Sequence, residues 1–141
     1  MKAKATVIIH REVEDVFDFL ADPRNLLDVN RRGRWEIQVA GPLGPGSTFE
    51  AAMKLWLIKP RMTYTVIDYY RPVRLAFRIT PQRLTRLLPM RKLRDAEDIL
   101  EFERVPGGTN LSRVFNWPGY PMIGTGLRRD LRKLKARLES E

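Results

Sequence analysis

Apolar and polar positions along the chain change period several times, and each change marks an element. From Ala3 to His10 the run Thr6, Val7, Ile8 and Ile9 is β-branched, which predicts a strand. Val13, Val16, Phe17 and Leu20 then fall at helical spacing. Glu12, Glu14 and Asp15 put negative charge where the start of a helix favours it. Asp22-Pro23 ends this helix, because the residue before a proline avoids helical backbone. A second short helix is predicted from Pro23 to about Val29, with the proline in its first turn. Two short helices broken in this way pack as a V.

The middle of the chain has period two. Trp35, Ile37 and Val39 alternate with Glu36 and Gln38, and the run from Gly41 to Gly46 is a turn. Phe49, Ala51, Met53, Leu55 and Leu57 share one face of the next strand, with Glu50 and Lys54 on the other. Met62, Tyr64 and Val66 alternate with Thr63, Thr65 and Ile67. After Arg71-Pro72, Leu75, Phe77 and Ile79 oppose Arg74, Ala76 and Arg78. Leu100 and Phe102 oppose Glu101 and Glu103, Pro106-Gly107-Gly108 turns, and Leu111 to Trp117 is the last strand. About seven strands at short spacing predict an antiparallel sheet.

The chain closes with a helix predicted from about Met122 to Leu138. Ile123, Leu127, Leu131, Leu134 and Leu138 form an uninterrupted apolar stripe, and arginines and lysines fill the remaining faces. The leucines are expected to face the sheet, with the cationic side chains in water and their stems over apolar surface. A DNA-reading helix would need a partner helix just before it, where a strand is predicted instead.

Composition narrows the chemistry. A chain of 141 residues, 43% hydrophobic and 30% charged, is read as a single domain over residues 1–141. With no cysteine and one histidine, His10, thiolate catalysis, cysteine–zinc sites and histidine-rich metal centres drop out, so no metal or cofactor is expected. No apolar run approaches the ~18 residues of a membrane span. Met1 to Ala5 lacks the hydrophobic stretch of a secretory leader, so a cytoplasmic protein is expected. The formal charge of +9 is uneven: residues 1–70 hold ten basic and nine acidic residues, residues 71–141 sixteen and eight. That asymmetry marks either a solvated basic surface or one that meets nucleic acid or an anionic membrane.

The order of elements and several stretches of sequence together resemble the START-like, or SRPBCC, superfamily. Residues 9–23, with Glu12, Val16-Phe17 and Asp22-Pro23, look like that group's opening. Gly46-Ser47-Thr48-Phe49 resembles the start of its third strand, 66–77 its fourth-to-fifth hairpin, and Gly107-Gly108-Thr109-Asn110-Leu111 its last hairpin. The resemblance implies an α+β helix-grip fold. A curved antiparallel sheet of about seven strands would surround the long C-terminal helix, with two short helices after the first strand and an apolar cavity between sheet and helix. The sequence departs from the pattern at Arg11-Glu12, where the family usually has Ala-Pro. It departs again at Pro81 to Asp95, a longer basic segment in place of a tight hairpin.

Given that fold, strand parity proposes a ligand-binding wall of Phe49, Ala51, Met53, Leu55, Tyr64, Val66, Phe77, Phe102, Arg113 and Phe115, with Ile123 and Leu127 from the helix. Leu75, Ile79, Leu100 and Leu111 share the same parity. These positions serve equally as filled core. Arg113 stands out, because a buried guanidinium is costly unless paired. It either meets an internal carboxylate, for which Asp68 has the parity of Tyr64 and Val66, or holds a ligand's carboxylate, phosphate or enolate oxygen, or is turned outward by a bulge. In the segment 81–95, Arg83, Leu84, Arg86, Leu87, Leu88, Arg91 and Lys92 suggest a lid or an anionic-lipid contact, and equally a solvated loop. His10 ends the first strand on the face opposite Val7 and Ile9 and is expected to be exposed.

Three functions are compatible with this reading. The first is a binding protein for a small hydrophobic or amphipathic ligand, lipid- or polyketide-like, with an anionic membrane as a candidate peripheral contact. The second is a polyketide cyclase or aromatase, which would need placed acids and bases. The third is nucleic-acid binding through the basic second half. The sequence leaves the oligomeric state open.

Overall fold

Alternation of side chains builds the sheet of the computed structural model, which describes residues 2–30, 34–39, 43–54, 61–81, 95–116 and 124–140. The elements run β1 (Lys2–Ile9), α1 (Val13–Leu20), α2 (Pro23–Asn30), β2 (Arg34–Val39), β3 (Thr48–Lys54), β4 (Arg61–Tyr70), β5 (Arg74–Pro81), β6 (Ala96–Val105), β7 (Gly108–Asn116) and α3 (Gly124–Ser140). The strands form one antiparallel sheet in the order β1-β7-β6-β5-β4-β3-β2. β1 reaches β7 across the whole sequence, and the remaining strands pair with their chain neighbours. This is the helix-grip arrangement, an α+β fold with two short helices between β1 and β2.

One sheet face is apolar because every strand contributes alternate residues to it. Ala3, Ala5, Val7 and Ile9 of β1 stand opposite Phe115, Arg113, Leu111 and Thr109 of β7. Ala96, Asp98, Leu100 and Phe102 of β6 continue the same face and are buried. The β6–β7 connection is Pro106-Gly107. The proline suits the first corner of a tight turn, and the glycine takes the second at φ 81°. Gly108 beside it has no room for a side chain: a Cβ there would stand 2.2 Å from the Ile9 carbonyl oxygen.

The helices cover the apolar face. Val13, Val16, Phe17 and Leu20 are buried, as their spacing predicts. α1 stops where Asp22 takes over as cap of α2. Its side-chain oxygen accepts from the Arg24 backbone N–H at 3.0 Å, and its carbonyl accepts from Asn25 and Leu26. Leu26 and Leu27 are buried beneath, and α2 packs against α3. In α3 the residues Leu127, Leu131, Leu134 and Leu138 are buried, while Arg128, Arg129, Arg132, Lys133 and Arg137 are exposed.

Polar contacts fasten the end of α3 to the beginning of the chain. Arg11 Nη1 donates to the Leu138 carbonyl at 3.0 Å, and Lys135 Nζ donates to the Ile8 carbonyl at 2.6 Å. The Glu139 carboxylate accepts from Lys135 Nζ and from the His10 backbone N–H. These two hydrogen bonds, the one from Lys135 foremost, hold its carboxyl below its usual range. His10 is exposed, as its position predicts, and its ring lies 3.9 Å from Glu139.

Candidate functional site

The inner face of the sheet gathers most of the residues that parity singled out. Phe49, Ala51, Tyr64, Val66, Leu75, Phe77, Ile79, Leu100, Phe102, Leu111, Arg113 and Phe115 are all buried, and Leu127 joins them from α3. Phe49 stacks on Tyr64 with ring centroids 4.7 Å apart, and Phe77 meets both edge-on at 6.0 and 6.2 Å. Such offset and edge contacts fix ring positions as well as bury area. The backbone of Met53 belongs to β3, and its side chain is outside what the structure describes. Leu55, Ile123, and the segment with Arg83, Leu84, Arg86, Leu87, Leu88, Arg91 and Lys92 lie outside the described residues.

Arg113 is internally paired. It is 4% exposed, and its partner is Asp98, 1% exposed. Nε donates to Asp98 Oδ1 at 2.8 Å and Nη2 donates to Oδ2, a two-pronged contact that matches the planar fork to the carboxylate. Asp98 faces Phe77 on one side and Phe115 on the other, so it sits diagonally across one rung from Arg113. Small Ala5 stands directly opposite Arg113 on β1 and leaves space for its stem. Burial works against the guanidinium's charge. The attraction and hydrogen bonds of Asp98 outweigh it, with help from Tyr64 and Asp130, and the net effect is to hold the proton more tightly.

Asp68 is not that partner. The β4–β5 register shifts between Val66 and Asp68, so Ile67 is an extra residue in β4. Before the shift Val66 pairs with inward Phe77. After it Asp68 pairs with Ala76 and Tyr69 with inward Leu75. The bulge therefore turns Asp68 to the outer face, where its Oδ2 accepts from Arg74 Nε at 3.0 Å, and Arg74 Nη1 also donates to Glu101. Tyr69 takes the inward place and meets Phe17 edge-on at 5.3 Å. The bulge was legible in part, since adjacent apolar pairs Val66-Ile67 and Tyr69-Tyr70 break strict alternation. Asp98 was legible too: it lies two residues before Leu100, on the same parity.

Tyr69 also lines a cleft of about 480 Å³ that no sequence pattern announced. Val39 and Leu43 from the β2 side and Ala21 and Pro23 from the α1–α2 junction complete its apolar part, and Asp18, Asp22 and Arg24 from that junction its polar part. Asp18 is fixed by Arg71, whose Nε and Nη2 donate to its two oxygens at 2.8 Å each. That hydrogen bonding holds the Asp18 carboxyl below its usual range. Slight burial opposes the effect and the Arg71 charge adds to it. Among the described residues no group of three histidine, cysteine or acidic side chains is placed to hold a metal ion, and no helix is long and apolar enough to cross a membrane.

Comparisons with known proteins agree with this architecture. A family described as polyketide cyclase / dehydrase and lipid transport matches residues 1–141. A crystal structure of a protein from Chromobacterium violaceum is similar at TM-score 0.77 and 15% identity, covering 99% of this chain and 98% of that one. A solution structure of a protein from Arthrobacter aurescens is similar at TM-score 0.74 and 15% identity, with 99% and 87% covered. Ara h 8.0201 is similar at TM-score 0.72 and 10% identity, with 100% and 99% covered. No curated protein sequence matches the chain.

Proposed function

The chain belongs to the polyketide cyclase / dehydrase and lipid transport family, and from that premise we propose that it binds a small hydrophobic or amphipathic molecule, lipid- or polyketide-like, between the inner sheet face and α3. The observation that carries the reading is the inner wall. It is a continuous aromatic and aliphatic surface with one charged pair set into it, the pattern of an apolar ligand site with few polar anchors. The cleft beside Tyr69 serves as the mouth. Tyr69 and Val39 belong to the inner face, while Asp18 and Arg24 stand in solvent at the rim. The test is an environment-sensitive apolar dye, expected to bind at about one per chain and to be displaced by medium-chain lipids. Ala51→Trp, which fills the wall at a small residue of β3, is expected to abolish this binding with the fold intact. Dye binding that survives Ala51→Trp would place the dye on the surface and remove the reading.

Delivery from an anionic membrane is a compatible role for α3. Arg128, Arg129, Arg132 and Lys133 form an exposed cationic stripe on two successive turns, opposite the buried leucines. Each basic residue near an anionic surface contributes about 1 kcal/mol, less as salt rises.

A further inference from the structure

We propose that the Asp98–Arg113 pair makes the ligand site selective for neutral hydroxyl-bearing amphiphiles and against carboxylates. The inference rests on the reading of an apolar ligand site at the inner wall and specifies the chemistry of the ligand's polar end.

An inward arginine in an apolar wall suggests a hook for an anionic ligand, but here the fork is already occupied. Asp98 takes Nε and Nη2 together, and both residues are almost wholly buried. A ligand carboxylate that displaced Asp98 would leave the aspartate charge buried without its counter-ion, which is among the costlier defects a core can carry. A ligand carboxylate that joined the pair instead would bring a second anion beside Asp98. Asp130 on α3 acts on Arg113 as well, so the incoming anion would meet a guanidinium on which negative charge already bears.

A neutral hydroxyl meets neither obstacle. A carboxylate offers about four lone-pair positions, and the Arg113 fork uses two. A ligand alcohol, enol or phenol can donate to Asp98 without disturbing the pair, and the aromatic group of Phe49, Tyr64 and Phe77 supplies apolar surface for its body. Asp98 lies directly across the ladder from Phe77, so the polar acceptor and that surface adjoin. Among the described residues the other buried polar side chain is Thr109, and its hydroxyl donates to the Arg11 carbonyl at 2.8 Å. Among the described residues the pair, Tyr64 and the half-buried Tyr69 are then the polar features of the wall.

The test uses the full chain at pH 8 and displacement of a bound apolar dye by 1-decanol and by decanoate. The wild-type protein is expected to prefer 1-decanol at least tenfold. Asp98→Asn removes the competing carboxylate charge from the Arg113 fork, and the preference is expected to shift toward decanoate by at least tenfold. Asp98→Ser serves if thermal melting shows that the asparagine variant does not fold. A wild-type preference below tenfold overturns the proposal. So does an unchanged preference in a folded Asp98 variant, because an ordinary apolar cavity would disfavour decanoate without help from the pair. Failure of the wild type to bind the dye at all removes the ligand-site reading itself, a distinct result.

Discussion

The Asp98 carboxylate meets the Arg113 fork at two points, from a position one rung away on the neighbouring strand, and both residues are buried. The pair is therefore a structural commitment of the inner wall. Arg74, by contrast, shares the outward carboxylates Asp68 and Glu101 at the solvent boundary.

That contrast sets the first prediction. Asp98→Ala removes the two-pronged carboxylate partner of a buried guanidinium and is expected to cost about 3–5 kcal/mol. Asp68→Ala, about a third exposed, is expected to cost less than about 1 kcal/mol. Replacing Asp98 and Arg113 together by apolar residues should cost less than the two single changes summed. Urea unfolding of the set measures all three. Equal costs for Asp98→Ala and Asp68→Ala would contradict the assignment of the partner.

α3 closes the core through its leucines. Leu131→Ala and Leu134→Ala, each 2% exposed in the native protein, are expected to cost about 2–5 kcal/mol apiece. Arg132→Ala on the exposed face should stay within about 0.5 kcal/mol. Melting temperatures that do not move with Leu131→Ala would mean that the sheet does not grip this helix.

Acid should loosen the rim of the cleft. Asp18 is held below its ordinary value of 3.8, chiefly by hydrogen bonds from Arg71. A depressed carboxyl stabilises the fold above its unfolded value and loses that contribution as pH falls toward its folded value. The stability difference between wild type and Arg71→Ala should therefore be constant at neutral pH and shrink as pH drops below about 3.8. A carboxyl NMR titration should show Asp18 moving up in the Arg71→Ala variant. An unmoved Asp18 would refute the pairing.

Membrane contact through α3 is tested with vesicles. Replacing Arg128, Arg129, Arg132 and Lys133 by serine should abolish binding to anionic vesicles, at about 1 kcal/mol per charge, and leave dye binding unchanged. Binding to neutral vesicles should be weak for both proteins. Undiminished anionic binding by the variant would clear this face of the role.

Local pattern alone determined the order of elements, the two short helices and the buried stripe of α3. It also determined most of the inner wall, including Phe49, Tyr64, Phe77 and Arg113. Each follows from a period of two or 3.6 residues and the cost of exposing apolar side chains. Composition alone removed thiolate and histidine-cluster chemistry. Only the tertiary structure decided that Asp98 and not Asp68 meets Arg113, and that Tyr69 turns inward to line the cleft. The reason is that parity is a property of one strand, whereas register belongs to two. One extra residue at Ile67 reverses the facing of everything after it in β4, and its place is set by pairing with β5. The bonds from Arg11 to Leu138 and from Lys135 to Ile8 join residues more than a hundred positions apart, and no local pattern in the chain could announce them.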